Sequence, residues 1–279
     1  MAKTFRRIGV ITGDPRLADP TKRNAQYNEE DTATHNAMKA AFQELPEFTF
    51  LFYDDHSRLF DQLQQDRPDL VVNFCDTGFR NVPTQELHIA AYLEMLGIPY
   101  TGAPPSAMVM CFDKAIVRLV AQSLGVPVPQ EFFISSENSL ETLPDLYPGL
   151  IKPNTADGSV GITKDAVARS PGEARKYLHW LRSTLPGRDA LWQEYLAGPE
   201  YGIGVIGNLE TDFWILPILE VDFSRLPAGL DPILSFESKA YPDSPYWTDI
   251  KFKQAVLDRS VEEKMKGWVR ILFRRFGLR

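Results

Sequence analysis

The sequence predicts an α/β protein, and three observations lead to that prediction. Short β-branched strands alternate with helices over residues 1–102, a pattern typical of a parallel sheet covered by helices. Strands outnumber helices over residues 103–279, which favours an α+β arrangement there. The hydrophobic and charged fractions are 44% and 24%. Both are ordinary for a globular protein, so the chain can bury a core of normal size.

The elements of the first part follow from apolar periodicity and from turn residues. A β-branched run that ends at Gly13-Asp14 predicts the first strand, and a helix cap at Asp31 or Thr32 precedes a helically spaced apolar set. Ligands of parallel sheets bind at the carboxyl ends of the strands, which here are Gly13-Asp14 and the stretch 75–78. The predicted strands are 7–12, 48–53, 69–74 and 98–101, and the predicted helices are 31–45, 56–65 and 85–96.

The character of the sequence changes after Gly102 and again near residue 190. Pro104-Pro105 opens a predicted helix that continues to Leu124, where Gly125 and two prolines end it. Further helices are predicted over 171–185 and 253–276, and strands over 131–134, 149–152, 191–196, 201–206 and 213–221.

Charge and cysteine content exclude several classes of protein. The net charge is -7 and the isoelectric point about 5.2, which argues against a nucleic-acid partner because phosphate contacts need clustered Lys and Arg. Two cysteines, Cys75 and Cys111, are too few for a disulfide framework or a zinc site and suit a reducing compartment. The apolar stretch at the N-terminus is too short for a signal peptide, and no run is long enough to span a bilayer. We therefore expect a cytoplasmic protein without a membrane partner.

One segment combines a lysine with a loop of small residues. Lys152 ends an apolar strand, and Gly158, Ser159 and Gly161 follow it. An ammonium group at such a place needs a polar environment, and small residues let backbone N–H groups approach a phosphate. The alternatives are a surface lysine that reaches water and a plain turn. Lys114 lies on a predicted helix, where a lysine taken by itself is most often a solvated surface residue.

Two further residues are candidates for the same site. Glu200 follows Gly198-Pro199 at a junction of two strands, where its carboxylate can accept hydrogen bonds from ribose hydroxyls or simply lie at the rim. Lys239 lies in Phe236-Glu237-Ser238-Lys239, within the stretch 234–249, which is rich in proline, aspartate and aromatic residues. Functional loops often have this composition, and so do loops without a function.

The order of these motifs carries a resemblance. The chain contains IPYTG, a helix with DK, GVPVP, IKP with DGSVG, QEYLAGPEYGIGVIGN, LPILEV and FESK, in that order. This succession resembles the D-alanine–D-alanine ligase branch of the ATP-grasp superfamily over about residues 68–240, and more loosely over residues 5–45.

The resemblance implies a fold and an activity. It implies an N-terminal parallel α/β domain over 1–102, a central lobe over 103–190 and a C-terminal lobe over 191–279 that looks incomplete, with the two lobes enclosing the nucleotide. It also implies an ATP-dependent ligase that joins a carboxylate to an amine through an acyl phosphate, acts on small amino-acid substrates, and dimerises through the N-terminal unit.

The resemblance also assigns roles residue by residue. Lys114 and Lys152 match the two lysines that hold the nucleotide phosphates, and Lys239 matches the loop lysine that reaches the γ-phosphate. Glu30 matches the glutamate that orients the first amino acid, so Glu30, Ser159 and Lys239 are the catalytic candidates. The remaining matches are Gly158, Ser159 and Gly161 for the phosphate-covering loop, Gln193, Glu194 and Leu196 for the adenine hinge, and Glu200 for the ribose.

Several departures from the family pattern concern the amino-acid side. Asn28-Glu29-Glu30 stands where the family has His-Glu, and residues 73–80 replace its HG…GEDG segment. Gly158 replaces the first of two serines, the hinge reads Gln193-Glu194 instead of Glu-Lys, and Ala240 replaces a tyrosine. D-alanine ligation and the joining of other amino acids therefore both stay open.

Magnesium is the second expected cofactor, beside ATP. The family binds two magnesium ions through an Asp and a Glu-x-Asn placed beyond the last helix, so these ligands are expected beyond residue 279 and none is assigned within the chain. Two interpretations stay open. The chain continues into that segment, which we favour, or the protein is a non-catalytic ATP-binding module that lacks the metal site.

Overall fold

The computed structural model describes residues 5–208 and 213–279. The chain divides into two compact units, of which unit 1 comprises Met1–Val109 with Leu278–Arg279 and unit 2 comprises Met110–Gly277. The predicted division at residue 102 lies close to the boundary between the units. The division at residue 190, within unit 2, stays a prediction.

Unit 1 is built on a parallel sheet of the order β2-β1-β3, formed by β1 (Arg7–Ile11), β2 (Thr49–Tyr53) and β3 (Leu70–Asn73). The parallel α/β arrangement expected for the N-terminal part is thus confirmed. The short strand expected at 98–101 is wrong, because this stretch forms a single parallel bridge, from Tyr100 to Val71.

Three helices accompany this sheet, α1 (Glu29–Gln43), α2 (Leu59–Asp66) and α3 (Glu86–Leu96). Gly97 ends α3 with a φ of 67°, and its N–H donates to carbonyls of the last turn, as its position in the sequence predicts. The sheet, α2 and α3 share a buried apolar core, whose members include Ile11, Leu59, Leu63, Val71, Ile89 and Leu93.

The start of α1 corrects the prediction of Asp31 or Thr32 as the N-cap. The cap is Asn28, whose Oδ1 accepts from the N–H groups of Glu30 at 2.8 Å and Asp31 at 3.1 Å. Asp31 in turn accepts from the N–H of Asn28 at 3.0 Å, which completes a capping box. Lys22 pairs with Asp31 at 2.7 Å and adds charge to the same corner.

The helix that was expected to run unbroken from Pro104-Pro105 to Leu124 is divided in two. Two helices are present, α4 (Pro105–Phe112) and α5 (Lys114–Ser123), and Asp113 separates them. Asp113 has an extended backbone and caps α5 by accepting from the N–H of Ile116 at 2.9 Å. The break places Lys114 at the first position of α5.

The larger sheet of unit 2 is antiparallel and has the order β4-β7-β5-β6. Its strands are β4 (Glu131–Ile134), β5 (Gly149–Pro153), β6 (Val167–Ala168) and β7 (Ala190–Glu194), and α6 (Pro171–Thr184) packs against them. Four buried residues of α6 join Ile151 and Trp192 in the core, namely Ala174, Tyr177, Leu178 and Leu181.

A second antiparallel sheet has the order β12-β11-β8, from β8 (Glu200–Gly202), β11 (Leu219–Asp222) and β12 (Lys251–Gln254). A two-stranded ribbon joins β9 (Val205–Ile206) to β10 (Trp214–Ile215). The strands expected at 201–206 and 213–221 are therefore each divided in two.

The remaining helices are α7 (Glu237–Ala240), α8 (Pro245–Thr248) and α9 (Arg259–Phe276). The final helix was expected from residue 253, which is wrong at its start. Residues Lys251–Gln254 pair with β11 instead, since tertiary strand pairing outweighs local propensity there. No helix within residues 5–208 and 213–279 is both long enough and apolar enough to cross a membrane.

We expect Asn28→Ala to lower the free energy of unfolding by about 1 kcal/mol, because two N–H groups at the start of α1 lose their acceptor. Chemical denaturation measures this change. The matched control is Asn36→Ala, an exposed position in the middle of α1, where the same substitution should stabilise by roughly 0.5 kcal/mol through helix propensity. Equal effects at both positions would contradict the capping assignment.

Candidate functional site

Most of the candidate residues lie together in unit 2, around the loop that follows β5. We call residues 154–164 the glycine loop and residues 234–241 the lysine loop. Gly158 and Ser159 have φ values of 59° and 60°, and Gly161 has 78°. Glycine adopts this region easily and serine rarely does, so the loop holds a strained turn at Ser159 beside two permissive residues.

Gly161 is required by contact as well as by conformation. A Cβ atom there would lie 2.5 Å from Cγ of Pro153 and 2.9 Å from Cδ1 of Leu185. The carbonyl of Gly161 accepts from the buried hydroxyl of Tyr177 at 2.9 Å, and the same hydroxyl accepts from the N–H of Thr163 at 3.0 Å. The far end of the glycine loop is therefore anchored against α6 while its turn at 158–159 stays at the surface of the site.

Asn154 joins the start of the glycine loop to α5. Its side chain is buried, its Oδ1 accepts from the N–H of Ala115 at 3.0 Å, and its carbonyl accepts from the N–H of Lys114 at 3.2 Å. The ammonium of Lys114 donates to the carbonyls of Asn154 at 3.4 Å and of Ala156. Lys114 thus lies against the backbone that leads from β5 into the loop.

A small cavity opens between Lys114 and the glycine loop. Its volume is about 220 Å³, and its lining includes Lys114, Pro153, Ser159 and Ile162. A second cavity, of about 200 Å³, touches Lys239 and the apolar side chains of Leu234 and Ile250.

The three candidate lysines share one electrostatic environment. Burial, and secondarily the nearby ammonium of Lys114, lower the pKa of Lys152 to about 8, against the opposing effects of Glu131 and Glu200. Desolvation also lowers the pKa of Lys114 and of Lys239, and Asp157 opposes that change at both. Each ammonium is partly removed from water, so each gains more from an anionic ligand than an exposed lysine gains.

Glu200 completes this group. Desolvation raises the pKa of Glu200, and the ammonium groups of Lys239 and Lys152 oppose the change. The structure therefore brings Lys114, Lys152, Lys239, Glu200 and the turn at Gly158-Ser159 into one neighbourhood. Their joint role in binding a nucleotide stays a prediction.

The hinge residues lie at the end of β7, which pairs with β5. Gln193 is buried, and its amide donates to the carboxylate of Glu131. Glu194 accepts weakly from the N–H of Gln130 at 3.4 Å, and Leu196 is 61% exposed. The buried amide of Gln193 and the exposed apolar side chain of Leu196 could contact a flat ligand at this end of β7.

Glu30 belongs to unit 1, whereas the residues described so far belong to unit 2. It is an exposed residue in the first turn of α1, and its N–H donates to Asn28. Its role in orienting an amino acid stays a prediction.

The carboxyl ends of the strands in unit 1 hold a buried polar network. His56 donates its backbone N–H to the carboxylate of Asp14 at 2.9 Å, and its Nε2–H donates to the carbonyl of Thr12 at 2.9 Å. Its Nδ1 accepts from the N–H of Arg80 at 2.7 Å. Burial raises the pKa of the adjacent Cys75 thiol to about 12, so this thiol stays protonated and is a poor nucleophile.

Sequence reasoning missed Asn154, Glu131 and Asp157. Asn154 directly follows the Lys152-Pro153 pair, and a polar residue after a strand that ends in lysine was the available signal. Glu131 and Asp157 gave no comparable signal, because their relation to the lysines depends on strand pairing and on the path of the loop.

The described parts of the chain, 5–208 and 213–279, contain no cluster of three His, Cys, Asp or Glu side chains that could hold a metal ion.

Comparison with known proteins places these residues in context. No family model matches the chain. The uncharacterized protein y4sG of Sinorhizobium fredii is 31% identical over 153 residues, which cover 54% of this chain and 42% of the relative. A D-alanine–D-alanine ligase of Thermotoga petrophila is 32% identical over 135 residues, which cover 48% of this chain and 41% of that enzyme. The matches thus span less than half of each of these two relatives.

The fold gives the wider match. The crystal structure of the Bacillus anthracis D-alanine–D-alanine ligase complexed with ATP aligns with a TM-score of 0.68 at 16% identity, and covers 98% of this chain and 78% of that one. The chain therefore shares its fold with the D-alanine–D-alanine ligases. The ATP-grasp architecture expected from the order of motifs is thereby confirmed.

Lys152 gives the site a pH dependence that can be measured. With a pKa of about 8 the ammonium is charged below that pH and neutral above it, so affinity for a polyanion should fall as the pH rises from about 7 to about 9. Calorimetric titration with inorganic tripolyphosphate measures this.

The control for the pH dependence is Lys152→Arg, because a guanidinium stays charged throughout that range. The loss of affinity centred near pH 8 should disappear in this variant. The same loss in both proteins would mean that another group titrates, and would contradict the assignment to Lys152.

Proposed function

We propose that the protein is an ATP-dependent ligase that joins the carboxylate of one amino acid, or amino-acid-like molecule, to the amine of another. The observation that carries this proposal is the convergence of Lys114, Lys152 and Lys239 around the strained turn at Gly158-Ser159. The likeness to D-alanine–D-alanine ligases in sequence and fold supports it. The residue roles given below belong to the same proposal.

The lysines suit the first step of such a reaction. A carboxylate oxygen attacks the γ-phosphorus of ATP, the bond to the β–γ bridging oxygen breaks, and ADP leaves. Carboxylate and phosphate repel each other, so catalysis depends on neutralising charge and on positioning. Lys114 and Lys152 would bind the phosphates and Lys239 the γ-phosphate, while backbone N–H groups of the turn at Ser159 would supply oriented dipoles.

The second step forms the amide. The amine attacks the acyl carbon of the acyl phosphate, inorganic phosphate leaves, and the nitrogen loses a proton. Water competes with the amine, so the intermediate has to be covered. The lysine loop already contacts the glycine loop and is suited to that task. Glu30 would hold the ammonium of the first amino acid by a charge-assisted hydrogen bond.

The nucleoside end of ATP belongs at the hinge. Gln193, Glu194 and Leu196 would contact adenine, and Glu200 would accept from the ribose hydroxyls. Magnesium remains part of the proposal on the resemblance alone. Homodimerisation through unit 1 and a cytoplasmic location are also proposed, the latter supported by two free cysteines, Cys75 and Cys111.

Nucleotide binding is tested first by Lys152→Ala. Removing the buried ammonium should weaken ATP binding by a factor of roughly 10 to 100, the range for a charge-assisted contact of about 1.5–3 kcal/mol. The matched control is Lys164→Ala, an exposed lysine at the end of the glycine loop, which should bind ATP as the unchanged protein does. Equal affinities for the two variants in a calorimetric titration would contradict the phosphate role of Lys152.

The reaction is tested by phosphate release from ATP and magnesium across a panel of D- and L-amino acids, with products weighed by mass spectrometry. We expect release that depends on an amino acid, together with a product heavier by one amide condensation. The natural gene product should be used, extended past Arg279 if the gene continues. ATP binding without release under any condition would favour the alternative, a non-catalytic ATP-binding module.

A further inference from the structure

The glycine loop and the lysine loop are joined by three hydrogen bonds. The hydroxyl of Ser159 donates to the carbonyl of Leu234 at 2.7 Å. The N–H of Phe236 donates to the carbonyl of Ile162 at 2.7 Å. The N–H of Lys164 donates to Oε1 of Glu237 at 3.1 Å. These hydrogen bonds hold the two loops together beside Lys114, Lys152 and Lys239.

Among these three contacts, the one made by Glu237 is the one in which a carboxylate accepts the hydrogen bond. It begins α7, two residues before Lys239, and its carboxylate crosses from the lysine loop to the backbone at the end of the glycine loop. An ionised acceptor makes a stronger hydrogen bond than a neutral one. The second carboxylate oxygen, Oε2, is buried and has no hydrogen-bond partner among the described residues, so the bond to Lys164 is the polar contact that orients this side chain.

Glu237 and Lys239 lie two residues apart in α7. The carboxylates that favour the charged form of Lys239 are Glu200 and Asp157. Those of Glu237 are directed at the glycine loop instead. Its effect on Lys239 is therefore mechanical, because a four-residue helix held at its first residue also holds its third.

We infer that Glu237 is a positioning residue, which fixes Lys239 beside the glycine loop and thereby lets the site prefer ATP to ADP. The inference rests on the proposed function, since it requires that Lys239 meets the γ-phosphate. It adds a residue that the order of motifs did not assign, and it explains how the loop lysine is held in place when Ala240 follows it.

The test compares the affinities for ATP and for ADP, measured by calorimetry on the full chain in the same magnesium buffer. The unchanged protein should bind ATP more tightly than ADP. Glu237→Ala should reduce the ratio of the two affinities about tenfold, mainly through weaker ATP binding. ADP has no γ-phosphate for Lys239 to contact, so its affinity should change little. Glu237→Gln keeps an acceptor oxygen in the same place and should retain most of the preference.

A control variant and a double-mutant cycle distinguish a positioning role of Glu237 from a general loss of protein stability. Glu173→Ala removes a similar bond in the same unit, from the N–H of Arg169 to a carboxylate at 2.7 Å, and should leave the ATP preference unchanged. Lys239→Ala should narrow the preference as Glu237→Ala does. Adding Glu237→Ala to Lys239→Ala should then change nothing further, because Glu237 acts through Lys239.

The outcomes distinguish this inference from the proposed function. An unchanged protein that binds neither ATP nor ADP would overturn the proposed function itself. Binding of both nucleotides with equal affinity, or an ATP preference that survives Glu237→Ala, would overturn only the inference. Additive losses in the double variant would likewise show that Glu237 acts independently of Lys239.

Discussion

Desolvation of the ammonium groups of Lys114, Lys152 and Lys239 is the constraint on which the site depends. These charges are partly desolvated and close enough for Lys114 to lower the pKa of Lys152. Such an arrangement costs stability unless carboxylates oppose it. Glu131, Glu200 and Asp157 do so incompletely, because the pKa of all three lysines remains lowered. The remaining positive potential is what an anionic ligand would relieve, so the site gives up stability in the free protein for affinity in the complex.

The backbone around the site holds these charges together. Pairing of β5 with β7 fixes Lys152 at a strand end beside the hinge residues. Asn154 then ties the next residues to the start of α5 through the N–H of Ala115, and Lys114 itself makes three contacts with the carbonyls of Asn154 and Ala156. Only Lys239 comes from a segment without long regular structure. Its place depends on the contacts between the glycine loop and the lysine loop, and for this reason one carboxylate, on Glu237, can have a large effect there.

Much of this site could be predicted from the sequence, since Lys152 and the residues of DGSVG are adjacent in the chain and the order of motifs supplied Lys114, Glu200 and Lys239. The capping contacts could not. Asn28 lies only three residues before the predicted cap, yet choosing among Asn, Asp and Thr requires knowing which N–H groups are free. The break at Asp113 was missed because the apolar spacing continues through it. The start of α9 was misplaced because residues 251–254 pair with a strand that is distant in sequence.

The polar network at the strand ends of unit 1 shows why the residues proposed to bind an amino acid are harder to predict from the sequence than those proposed to bind the nucleotide. His56 uses both ring nitrogens within the protein: Nε2–H donates to Thr12, and Nδ1 accepts from Arg80. Both ring nitrogens thus have partners within the protein, and neither is free to take a proton from a substrate. Asp14 is likewise occupied, by the N–H of His56 and by Arg16 at 2.9 Å. Polar groups that are paired within the protein in this way are not available to a ligand. Under the proposed function, discrimination between amino acids would fall to other side chains, such as those of Asn28-Glu29-Glu30, where the sequence departs from the D-alanine ligase pattern.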